Sequence, residues 1–186
     1  MTLLDKYGEV AADSTFYMCF LDDINDSNSL RKILEKFEFH IPKKIHEEIS
    51  KSKNWYKVSS HTNLNVFKKN SIDIGKALYP FFSKEQVEKG ESDIIVLAYI
   101  CSQTSKGDFY FILDDGKPRK FIEINCTDLL PYLRGTTTFV KICFDKYEIF
   151  NKQDCLKILD NISNSKFRVP KELITKLKKE IQNKNE

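Results

Sequence analysis

Apolar positions along this chain recur with changing period, and the changes mark the predicted elements. "GEVAADSTFYMCFLDDI" opens with a strand of small residues that ends at Asp13. Apolar residues then continue through Phe16, Tyr17, Cys19, Phe20 and Leu21, which predicts a buried helix. "SNSLRKILEKF" places Leu30, Ile33, Leu34 and Phe37 on one helical face. "EFHI" predicts a short strand, and "PKKIHEEISKS" a helix with Pro42 at its first position. Residues 53–70 are polar and show no clear period; Trp55 is read as half-buried there.

Further on, "SIDIGKALYPFF" predicts a short helix halted near Pro80, and "SKEQ" has the form of a capping box. The helix it opens turns wholly apolar from Ile94 to Cys101. Residues 107–113 then form a short aromatic run behind Gly107, the pattern of a strand buried on both faces. Two amphipathic helices close the chain, one carrying Leu156, Ile158, Leu159 and Ile162, the other Leu173, Ile174, Leu177 and Ile181. Strands alternating with helices predict an α/β fold with a parallel sheet.

Composition narrows this picture only modestly. Hydrophobic residues make up 41% and charged residues 31% of the 186, as in an ordinary globular chain. A net charge of +3 permits a nucleic-acid partner without arguing for one. Five scattered cysteines without a CxxC pair predict free thiols in a reducing compartment. His40, His46 and His61 show no ligand spacing with any cysteine, so no zinc site is expected. There is no basic segment followed by an apolar core at the N-terminus, and no apolar run of membrane-spanning length. The expectation is a cytoplasmic protein with no membrane association.

The acids carry the chemistry. Asp13 ends the first strand, and Asp114 and Asp115 end the later one. Chemistry in open parallel sheets gathers at the carboxyl ends of strands. Glu48 borders the apolar stripe of its helix; Glu91 lies four residues past Val87 and faces the packed side, with Asp93 about 200° further round. Each acid alone has a plain structural role: turn or cap for Asp13 and Asp114-Asp115-Gly116, a solvated ion pair for Glu48, a helix start for Glu91 and Asp93. Together they form a pattern, two at strand ends and two on apolar helix faces.

The order "AADSTFYMCFL", "IPKKIHEEI", "GESDIIVLAY", "FYFILDDGKPRKF" resembles a PIN domain, in particular the VapC-like ribonuclease toxin branch. The stretch from Gly135 through the final helix is similar to that branch's C-terminal part, so the resemblance covers about residues 9–182. It implies a three-layer α/β/α sandwich, with a nuclease core over residues 1–135 and a C-terminal helical part over 136–186 packed on the same domain. It implies that Asp13, Glu48, Glu91 and Asp114 are the catalytic, metal-holding acids, with Asp93 and Asp115 as auxiliaries, and that Ser14, Thr15, Lys117 and Arg119 bind substrate. Thr136, Thr137 and Thr138 stand where the branch has larger apolar residues and a second glycine.

The implied activity is Mg²⁺- or Mn²⁺-dependent hydrolysis of RNA, by the toxin of a toxin–antitoxin pair. The partners this implies are RNA, a protein antitoxin and a second copy of the chain. Hard divalent ions take carboxylate oxygens and keep several waters, which suits these acids. Lys117, Arg119 and Lys120 could clamp a phosphate backbone, and Tyr79, Phe81 and Phe82 could stack bases, although core packing is the plainer role for these aromatics. Two other classes stay open: a PIN-like module that binds RNA or a partner without turnover, and a structure-specific DNA nuclease.

Overall fold

A computed structural model of the chain describes residues 7–60, 64–67 and 91–184. The short helix read up to Pro80, the capping box at 83–86 and the aromatics Tyr79, Phe81 and Phe82 lie outside these residues. Among the described residues, five strands form one wholly parallel sheet: β1 (Gly8–Ala12), β2 (Phe37–Pro42), β3 (Leu64–Phe67), β4 (Asp108–Ile112) and β5 (Leu133–Arg134). Their order across the sheet is β3-β2-β1-β4-β5. The chain therefore steps outward from β1 through β2 to β3, then returns to β4 on the other side of β1. The switch point lies between the carboxyl ends of β1 and β4, where such sheets open a crevice.

Helices cover both faces of the sheet, giving three α/β/α layers. One face packs α1 (Ser14–Met18), α2 (Ser27–Lys36) and α3 (Lys43–Ile49). The same face carries α6 (Thr136–Asp145), α7 (Lys152–Ser163) and α8 (Lys171–Asn183). Val10, Ala12, Phe37, Phe39, Ile41, Tyr110 and Ile112 from the strands share one core with Phe139, Ile158, Leu159, Leu177 and Ile181. The other face packs α4 (Glu91–Thr104) and α5 (Gly116–Asn125) over Ala11, Phe109, Phe111 and Leu113. Strand alternation sorts the residues between these two cores. β4 is buried on both faces, with Phe111 and Ile112 fully inside.

Local structure departs from the sequence reading in four places. Phe37, read on the apolar face of α2, lies beyond that helix and opens β2. Pro42 is not the first helical residue: it still pairs with Phe67 in the sheet and caps α3 from outside. The helix after Asp13 does not run on as an α-helix. From Cys19 to Asp23 it widens into a π-turn, with Ile24 N–H reaching Cys19 O at 3.0 Å, and ends at Asn25, whose φ is 51°. The two-residue strand β5 carries no periodic signal, because Leu133 and Arg134 are too few to show one. Gly8 has a steric role: a Cβ there would stand 2.2 Å from the Asp108 carbonyl oxygen, so β1 and β4 approach closely only with glycine. No helix among the described residues is long and apolar enough to cross a membrane.

Candidate active site at the strand ends

The carboxyl ends of β1 and β4 deliver the acids. Asp13 N–H donates to Ile112 O at 3.1 Å, extending the β1–β4 ladder by one bond beyond the strand. Asp13 then turns the chain into α1 as its N-cap. Its Oδ1 accepts from Thr15 Oγ1 at 2.6 Å and from Phe16 N–H at 3.3 Å. The residue is only 6% exposed. Burial, with the charge of Asp114 added to it, pushes its carboxyl up to about 7, against the lowering effect of the Thr15 hydroxyl.

Asp114 leaves β4 toward the start of α6. Its Oδ2 accepts from Thr136 Oγ1 at 2.5 Å, and its Oδ1 from Thr136 N–H at 2.9 Å. Burial raises its pKa, while the Thr136 bonds and the nearby Arg119 guanidinium pull the other way. Gly135 lets this carboxylate sit down on the backbone, since a Cβ there would be 3.0 Å from Asp114 Oδ1. Arg119 itself donates from Nη1 to Leu113 O at 2.7 Å, so it braces the end of β4. Asp115 is exposed and caps α5, accepting from Lys117 N–H at 3.1 Å. Adjacent residues thus take different tasks: Asp114 is half-buried at the crevice with Asp13, and Asp115 starts a helix.

Asp114 and Asp115 line a groove of about 520 Å³ together with Ser14, Thr15, Asp23, Lys166, Phe167 and Arg168. The last three come from the loop before α8. Lys166 Nζ lies 3.6 Å from Asp23 Oδ1, which ties that loop to the π-turn. The sequence reading missed Lys166 and Arg168 as site residues. Their one signal is a pair of cations around Phe167 in a short segment without period, and only the fold brings that segment to the strand ends. Two depressions of about 460 and 560 Å³ along α7 and α8 do not include the strand-end acids.

The remaining predicted acids lie on α3 and α4. Glu48 is half-buried in the last turn of α3, four residues past Lys44 and so on the same helix face. Lys44 Nζ lies 3.9 Å from Asp93 Oδ2 at the start of α4. Asp93 is 3% exposed and its Oδ2 accepts no hydrogen bond, whereas Glu91 is half-buried. Burial raises the Asp93 pKa and Lys44 lowers it. Asp93 is therefore the more enclosed of the two acids that open α4. Among the described residues, the trio whose ligand atoms all lie within 4.8 Å of one another is Glu9, His40 and Cys101, not the predicted acids. The sequence spacing that predicts no histidine–cysteine site is blind to this trio, because β1, β2 and α4 meet only in the folded sheet.

No family model, curated protein or solved structure matches this chain.

Proposed function

We propose that the chain is a metal-dependent endoribonuclease of the PIN type, acting at the crevice between β1 and β4. One observation carries this reading: Asp13 and Asp114 end the two strands that flank the switch point, and burial disfavours the charge of both. Two such carboxylates repel each other, and a cation between them would relieve that repulsion. The donors are all oxygen, which suits Mg²⁺ or Mn²⁺. Asp13 and Asp114 would hold the ion most directly, with Glu48 from α3 and Glu91 from α4, and Asp93 and Asp115 as auxiliaries.

When bound, such an ion neutralises charge on the phosphoryl oxygens and makes the attacking water more acidic. The protein's own side chains do the rest. Lys166 and Arg168, which line the same groove, would attract and orient a phosphate backbone. Thr15 fixes the Asp13 carboxylate, Thr136 fixes that of Asp114, and Arg119 fixes the end of β4 beside it. Ser14 lines the groove and would donate to a phosphate oxygen. The toxin reading, with an antitoxin partner and an intracellular RNA target, belongs to the same proposal and rests on the resemblance of the motif order.

Incubating the purified chain with structured RNA and with branched DNA, each in Mn²⁺ or in EDTA, tests the activity. RNA cleavage in Mn²⁺ that disappears in Asp114→Asn is the expected result. Cleavage of branched DNA alone would replace this reading with the DNA nuclease. RNA binding with no turnover in either ion would replace it with the binding module.

A further inference from the structure

On the α4–α5 side of the sheet, three metal-ligating side chains from distant parts of the chain meet. Glu9 comes from β1, His40 from β2 and Cys101 from the last part of α4. One ligand atom from each lies within 4.8 Å of the other two. Glu9 Oε2 and His40 Nε2 are 2.7 Å apart. Cys101 is 4% exposed and His40 9%; Ala11 and Phe111 share the core of Cys101, and Glu38, the β2 partner of Glu9 in the sheet, stands beside the group. Glu9 keeps 28% of its side chain in contact with solvent, which leaves the group open on one side.

We propose that Glu9, His40 and Cys101 form a second metal site, for a zinc-like transition ion, which clips α4 onto β1 and β2. The donor set decides the class of ion. One thiolate, one imidazole and one carboxylate are the ligands of Zn²⁺ and Co²⁺, whereas Mg²⁺ and Ca²⁺ prefer oxygen alone. Three protein ligands leave a fourth tetrahedral position for water on the open side. Neighbouring ligands around tetrahedral zinc stand about 3.3 Å apart, given metal–ligand bonds near 2.0–2.1 Å. The Glu9–His40 contact is shorter, and a rotation of the partly exposed Glu9 side chain would widen it on binding. The site is distinct from the strand-end acids. Glu9 lies four residues before Asp13 on an extended strand, a separation of about 13 Å. Its role follows from its place: α4 begins with Glu91 and Asp93, and a clip at its far end would hold their helix on the sheet.

The test uses the full chain, freed of metal with EDTA and titrated with Co²⁺. A sulfur-to-cobalt charge-transfer band saturating at about one ion per chain is expected, displaced by Zn²⁺ and untouched by Mg²⁺. Cys101→Ser should abolish the band, and Glu9→Gln should weaken Co²⁺ binding by at least about tenfold. Zn²⁺ should raise the melting temperature of the unaltered chain but not of either variant. Should Cys101→Ser fail to fold, Glu9→Gln decides, since that residue is partly exposed. Asp13→Asn should keep the band, which separates this site from the nuclease proposal. Absence of a charge-transfer band, or a band that persists unchanged in Cys101→Ser or in Glu9→Gln, overturns the site.

Discussion

Asp114 accepts two hydrogen bonds from a single residue 22 positions later, the backbone N–H and the hydroxyl of Thr136. The pair fastens the end of a central strand to the first turn of α6. Thr136 is fully buried, so its hydroxyl has no water to turn to. Thr136→Val should lower stability by about 1.5–3 kcal/mol, the range for a hydrogen bond to a charged group. Thr136→Ser should recover most of that. Denaturant unfolding of the three proteins measures it; equal midpoints for Val and Thr would show that the bond contributes nothing net.

Asp13 makes stability depend on pH in an unusual direction. Its carboxyl, ordinarily near 3.8, is held up at about 7 in the folded chain. Between these values the folded protein keeps a proton that the unfolded chain has lost. Stability without metal should therefore fall as pH rises from about 4 to about 7, by up to about 1.4 kcal/mol per unit, and then level off. Asp114, also raised by burial, adds to the slope in the same direction. Asp13→Asn should flatten the curve and leave the metal-free protein at least as stable at pH 8, since Asn also caps a helix. Melting curves in EDTA across this range check it. A markedly lower melting temperature for the variant at pH 8 would show that the negative charge itself is structural.

In the proposed site Mg²⁺ or Mn²⁺ would bind the ionised carboxylates, so the stabilisation it confers should grow with pH up to about 7. Loss of cleavage in Asp13→Asn, with the fold intact, should accompany loss of that stabilisation. Calorimetry with and without Mn²⁺ at pH 5.5 and 8 compares the two.

Asp114 and Asp115 should respond unequally. Asp114→Asn is expected to reduce RNA cleavage more than about 100-fold, beyond the roughly 10–100-fold typical of residues that act through a ligand. Asp115→Asn should keep a measurable fraction, because Asn can replace it as the cap of α5. Rates across a Mn²⁺ titration separate the two variants. An inactive Asp115→Asn beside an active Asp114→Asn would reverse the assignment.

Lys166 and Arg168 line the same groove as Asp114 and Asp115. Removing both charges should weaken RNA binding uniformly across sequences. For single-stranded RNA the salt dependence should become shallower by about 1.4 in log–log slope, near 0.7 for each phosphate that is no longer neutralised. Binding isotherms at several salt concentrations give the slope; an unchanged value would place the RNA elsewhere.

The sequence alone determined the strong local features. The aromatic run before Asp114 could be read as a two-sided buried strand because no polar position interrupts it. The helices of 27–36, 152–163 and 171–183 were legible because their apolar faces repeat over several turns. Asp13 and the Asp114-Asp115 pair were legible as strand-end acids because each follows directly on an apolar run. Tertiary structure decided what chain order cannot encode. The switch point depends on which strands pair, and hydrogen bonds between backbones carry no residue label. Thr136 reaches Asp114, and Lys166 and Arg168 reach the groove, only because α6 to α8 fold back over the β1 side of the sheet. Glu9, His40 and Cys101 meet for the same reason: ligand spacing is read along the chain, while coordination is set by distance in space.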